Sequence, residues 1–219
     1  MVDPVSISIS AGALAISAAT AWLTLLRPGQ LRMTRPTLFY LGPDGASAKE
    51  KGRGGPKVYV RMLLYSTAKR GSLIENMYVT VRRGETRQNF NIWVYGDSGL
   101  LSRGSGLFVD QEGVALNHHF LLPADGTQFT FGPGAYVIEV YVKLVRSPKP
   151  RLLGSVTAQL PETLTKEAEK SGSGVFFDWG PDLSAYNAHS KPVPIAGDVS
   201  PVVSDLLFPE ALLDRAPRP

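Results

Sequence analysis

Phe129-Thr130-Phe131-Gly132-Pro133-Gly134-Ala135-Tyr136-Val137-Ile138-Glu139-Val140-Tyr141-Val142-Lys143-Leu144 reads as a tight turn feeding a long strand. Glycine accepts positive φ and proline locks a negative φ suited to a turn, so Gly132-Pro133-Gly134 marks the turn. Beyond it the apolar residues recur with period two. Tyr136, Ile138, Val140, Val142 and Leu144 share one side, while Glu139 and Lys143 share the other. A strand with one apolar face needs a second layer to cover that face.

Outward from this stretch, the same pattern recurs in both directions. Candidate strands are Thr37–Leu41, Val58–Ser66, Ile74–Arg82, Asn89–Tyr95, Gly106–Asp110, Val114–Leu122, Ala135–Val145 and Leu152–Gln159. Turn-forming residues separate them, for example at Lys69-Arg70-Gly71, Arg83-Gly84-Glu85, Gly96-Asp97-Ser98-Gly99 and Glu112-Gly113. Val58, Val60, Met62 and Leu64 form a second apolar stripe, and Met77, Val79 and Val81 a third. About seven or eight short strands at this spacing predict an all-β antiparallel sandwich, with an eight-stranded β-barrel as the alternative. The stretch from Phe129 to Val140 resembles immunoglobulin-like or fibronectin-type domains. The resemblance implies a tyrosine corner, with the Tyr136 hydroxyl capping a backbone carbonyl at the strand crossover.

The N-terminus carries a different signal. From Pro4 to Leu26 there is no charged residue, and Arg27 ends the run. At 1.5 Å per residue these 23 residues reach roughly 34 Å, enough for a hydrocarbon core of about 30 Å. Residues 5–26 are therefore expected to be a transmembrane helix after a short N-terminus, 1–4. Trp22 suits the interfacial zone. Arg27, Arg32 and Arg35 follow the run, while Asp3 precedes it. The positive-inside bias then places the C-terminal domain in the cytoplasm. The competing readings are a cleaved signal peptide, with Ala19-Thr20-Ala21 as the small-x-small site, and a buried soluble helix. Ser6, Ser10, Ala13, Ser17, Thr20 and Thr24 share one helix face, and Ser8, Ala11, Gly12, Ala15 and Ala19 a roughly opposite one. Such stripes suit helix pairing and a homo-oligomer, unless the hydroxyls bond back to their own helix.

Residues 27–36 read as a basic juxtamembrane linker and 37–160 as the sandwich. A short helix over Pro161–Glu169 and the aromatic segment Val175–Pro181 are expected to pack on it, within 161–189. Residues 190–219 form a proline-rich tail expected to be disordered, with Val202–Leu213 as a docking segment. The chain has no cysteine, which excludes disulfides, thiolate metal sites and thiol nucleophiles. Its net charge of +4 is unevenly spread. Arg27 to Arg87 holds 13 Lys+Arg against 4 Asp+Glu, whereas Glu162 to Asp214 holds 3 against 9. A basic half beside a membrane is drawn to anionic headgroups; alternatively the acidic end folds back on it. Nucleic acid is not expected as a partner on this pattern.

No catalytic motif emerges. Neighbouring strand residues point to opposite faces, so His118 and His119 cannot readily grip one metal ion, and neither a metal nor a cofactor is expected. Gly52-Arg53-Gly54-Gly55-Pro56-Lys57 lacks phosphate-loop spacing and precedes a strand. The best candidates are aromatic and basic side chains opposite the apolar stripes: Tyr59 and Arg61, Tyr78 and Arg82, Trp93 and Tyr95, and Tyr141. These types are enriched in binding hot spots. Exposed on one sheet they would make a platform for a protein partner; otherwise the C-terminal segment covers them. Membrane contact is assigned to Trp22, Arg27, Arg32 and Arg35. The expected protein is a non-catalytic interaction or scaffold module, single-pass in a bacterial inner membrane, given the arginine-rich, bacterial-looking composition. The alternative is an envelope-facing domain that binds glycan or peptide.

Overall fold

The computed structural model describes residues 3–27, 29–44, 55–96, 101–123 and 128–190. Helix α1 spans Pro4–Ala21, with Pro4 in its first turn and the Asp3 Oδ1 accepting from the Val5 amide at 3.1 Å. It runs on as a π-helical turn, Trp22–Leu26, closed by the Arg27 amide donating to the Trp22 carbonyl at 2.8 Å. An 18-residue window within these 23 residues has a mean hydropathy of 1.7, and none of the 23 is buried against the rest of the chain. This rod is long and apolar enough to cross a membrane, and it is not a core helix of the domain. Ser8, Ser10, Ser17, Thr20 and Thr24 each donate to the carbonyl four residues back, at 2.7–2.9 Å. Their hydroxyl protons are thus donated within the helix.

The strands are β1 Leu31–Met33, β2 Leu38–Pro43, β3 Pro56–Ser66, β4 Ser72–Arg83, β5 Thr86–Phe90, β6 Ile92–Gly96, β7 Ser102–Arg103, β8 Leu107–Val109, β9 Val114–Leu121, β10 Gly134–Leu144, β11 Arg151–Leu160, β12 Val175–Gly180 and β13 Ala185–His189. Helix α2, Glu162–Ser171, ends on a left-handed Gly172 with φ 64°. One antiparallel sheet runs β13-β12-β2-β3-β9-β6-β7, with β1 pairing the end of β3. The other runs β11-β10-β4-β5, with β8 pairing the start of β4. The sheets do not close into a barrel; the fold is a β-sandwich, as the alternating stripes predict.

Alternation puts the core between the sheets. Val58, Val60, Met62 and Leu64 of β3 face Met77, Val79 and Val81 of β4 and Tyr136, Ile138, Val140 and Val142 of β10, all buried. The turn before β10 is tied as the tyrosine resemblance implies. The Tyr136 hydroxyl donates to the Gly132 carbonyl at 2.7 Å. Tyr136→Phe removes this bond and leaves a part-buried carbonyl without it. It should cost about 1–2 kcal/mol in chemical denaturation, with the native spectrum retained.

Three departures from the sequence reading matter for the site. The expected single strand Asn89–Tyr95 is two strands in different sheets, β5 beside β4 and β6 beside β9, with the crossover at Asn91. The aromatic segment from Val175 does not lie over a sheet face. It enters the first sheet as β12, where Phe177 stacks on Phe39 at 4.5 Å. Residues 31–33 of the expected linker are strand β1. The expected tail, from Lys191, lies outside the described residues.

Candidate functional site

The expected platform does not exist as one surface. Its seven residues fall on two opposite outer faces and in the interior. Trp93 is 2% exposed and belongs to the core. Its indole donates Nε1–H to His118 Nδ1 at 3.2 Å, and Gly104 packs on the ring so closely that a Cβ there would lie 2.0 Å from Cε3. Tyr95 stacks on Trp93 at 4.7 Å and spends its hydroxyl on the Gly106 carbonyl at 2.8 Å. The physical reason is the crossover at Asn91. It resets the inside–outside parity, so Phe90 faces inward from one sheet and Trp93 inward from the other. Parity counted along an uninterrupted strand puts Trp93 outside.

His118 lies wholly buried on the same inner face, and His119 points outward beside Tyr59, with ring centroids 5.0 Å apart. Because tryptophan only donates, His118 Nδ1 accepts and its proton sits on Nε2. Burial pushes the His118 pKa down to about 3, helped by the charge of His119. Burial first, and Lys57 next, lower His119 to about 4.

Tyr59 and Arg61 occupy the outer face of the larger sheet. Both donate to one acceptor, Asn117 Oδ1, at 2.8 and 2.6 Å, and Asn117 is buried. They serve a polar network within that face. Of the glycine-rich loop, Gly52 to Gly54 lie outside the described residues. Lys57 is buried and paired with Asp44 at 2.8 Å.

Tyr78, Arg82 and Tyr141 share the outer face of the smaller sheet. The register sets Tyr78 opposite Tyr141, and their rings stack at 5.0 Å with an interplanar angle of 3°. A β-bulge between Val140 and Tyr141 skips Leu153 and brings Leu152, 49% exposed, opposite Tyr141. Glu139 lies two residues along and accepts from two sides, from the Tyr141 hydroxyl at 3.3 Å and from Arg82 at 3.1 Å. Lost solvent, and then the Glu139 charge, raise the Tyr141 pKa, so its phenol stays a neutral donor. Lys143 and Glu75 pair at 2.6 Å on the same face. This is a rigid aromatic surface with fixed donors and acceptors at its rim, mounted on the two central strands β4 and β10.

Of the residues expected to contact a membrane, Trp22 and Arg27 lie at the end of the rod. Arg32 is exposed on β1 opposite Tyr65, its Nη2 donating to Gln30 at 2.6 Å. Arg35 departs from the expectation. Its guanidinium stacks 4.0 Å from the Trp179 ring, several residues up the sheet from the rod. A shallow, largely apolar cleft of about 320 Å³ lies between α2, Leu41 and Phe131.

No family model matches this chain, and no curated protein matches it. Among solved structures it is similar to a family 123 glycoside hydrolase from Clostridium perfringens, studied for glycolipid glycan hydrolysis. The identity is 10% and the TM-score 0.30, over 61% of this chain and 27% of that enzyme. The chain spans about a quarter of the enzyme's length, and a likeness of this size does not bear on function.

Proposed function

We propose that this protein is a single-pass, membrane-tethered interaction module whose sandwich faces the cytoplasm of a bacterial cell and binds a protein partner through the Tyr78–Tyr141 face. The observation that carries the reading is the joining of an uncharged, wholly unburied 23-residue helix to a sandwich whose stacked tyrosine pair stands outward. Arg27 directly after the helix supports the orientation. The tyrosines lose little side-chain entropy on binding, and Arg82, Glu139 and Leu152 supply polar and apolar contacts around them.

The test combines topology and capture. A reporter fused at Pro219 that works only in the cytoplasm should be active. From membranes, Tyr78→Ala with Tyr141→Ala should weaken capture of the partner by about tenfold or more, the scale of a lost hot spot, while the sandwich stays folded. Activity of an export-dependent reporter would transfer the domain to the envelope and favour a glycan or peptide ligand. A mature chain beginning near Trp22 would remove the tether.

A further inference from the structure

The end of the sandwich next to the rod carries an unexplained apolar group. Leu73 and Phe108 are directly paired across β4 and β8, and the Val145 amide donates to the Leu73 carbonyl at 3.1 Å. All three side chains stand largely in the open, at 47%, 58% and 54% exposure. Ile74, next along β4, is fully buried, so Leu73 points away from the core. Exposed large apolar residues gathered at one place call for a partner.

The position of this group identifies the partner. Only two residues separate Leu26 from Gly29, and Gly29 packs on the β3–β4 turn so tightly that a Cβ would lie 2.7 Å from the Ala68 amide. The Gln30 amide donates to Thr67 Oγ1 at 2.8 Å, and the Thr67 amide donates back to the Gln30 carbonyl at 3.0 Å. Arg70 reaches the Leu26 carbonyl at 3.5 Å. The span is thus clamped to the turn from which β4 starts. Three residues of chain reach at most about 11 Å, and Leu73 lies two residues beyond Gly71. The headgroup layer on each side of a bilayer is about 5–7 Å thick, so this end of the sandwich lies at its depth.

The charge agrees. Lys69 and Arg70 in the β3–β4 turn, Arg146 and Lys149 in the β10–β11 turn, and Arg27 after the rod lie in the segments that adjoin the group; the acids there are Asp110, Glu112 and Glu75, the last paired with Lys143 at 2.6 Å. Asp110 is committed to the Gly113 amide.

We infer that the sandwich is seated on the bilayer surface, with Leu73, Phe108 and Val145 inserted among the lipid headgroups and the surrounding lysines and arginines held against anionic lipid. This seating rests on the tethered reading and adds to it a fixed posture for the sandwich.

The absence of cysteine from the chain makes the test direct. Single spin labels at Phe108→Cys, Val145→Cys, Leu14→Cys and Thr157→Cys would be read in the full chain, reconstituted in phosphatidylcholine–phosphatidylglycerol vesicles. Labels at 108, 145 and 14 should collide with oxygen several-fold more, relative to a nickel chelate, than the label at 157. Labels at 108 and 145 as aqueous as 157, with 14 in lipid, would overturn the seating and leave the tether intact. Labels at 108 and 145 shielded from both reagents would assign the patch to a protein contact and overturn it too. An aqueous label at 14 would remove the tether and the seating together.

Discussion

Trp93→Ala should remove much of this protein's stability margin, costing about 3–5 kcal/mol in urea denaturation of the full chain, the range for deleting a large buried aromatic. The indole is 2% exposed, contacts the Tyr95 and His118 rings, and is sealed by Gly104. Its removal opens a cavity and takes the donor from His118 Nδ1 at once. A domain of this size holds about 5–15 kcal/mol in total, so the loss is a large share. Tyr78→Ala, on the outer face, should cost about 1 kcal/mol, the scale of one cross-strand pair. Equal losses from the two would contradict the assignment of Trp93 to the core. The contrast also governs any capture experiment: a partner lost with Trp93→Ala reports unfolding, and only the tyrosine pair reports the surface.

Acid should destabilise the fold through the two adjacent histidines. A histidine whose folded pKa is depressed resists protonation in the native state, while the unfolded chain takes up the proton below about 6.5. Their full benefit is therefore present above pH 6.5 and is lost as pH falls, through the window down to about 3 for His118 and about 4 for His119. His118 contributes more because it is fully buried; at about 1.4 kcal/mol per pH unit it removes roughly 3 kcal/mol by pH 4. Denaturation midpoints measured from pH 7 to pH 4 should fall steeply, and His118→Leu should flatten the fall. A midpoint with the same pH slope in His118→Leu would show that the carboxylates alone set acid lability.

How much of this was legible before folding depends on whether a feature is local. The Tyr136 turn was legible because five residues, Gly132 to Tyr136, contain both partners of the hydrogen bond. Strands β3, β4 and β10 were legible because each carries its own alternation over 11 or 12 residues. Strands β12 and β13 were not. Phe176-Phe177-Asp178-Trp179 has aromatics on both parities, so it reads as a segment seeking cover rather than as a strand. Its pairing with β2 lies more than 130 positions away in sequence. Leu73 and Phe108 gave no signal either, since each sits in a strand of ordinary composition and they meet only through the β4–β8 ladder.

From its residues alone this chain disclosed an apolar rod with a basic end and a series of strands with one greasy side, because length and period are properties of neighbouring positions. Folding alone decided which sheet each strand joined, and therefore that Trp93 is core, that Tyr59 and Arg61 serve Asn117, and that Tyr78 meets Tyr141 half-buried on an outer face. A strand's alternation says that two sides differ; only its partners, and a crossover such as Asn91, say which side is out.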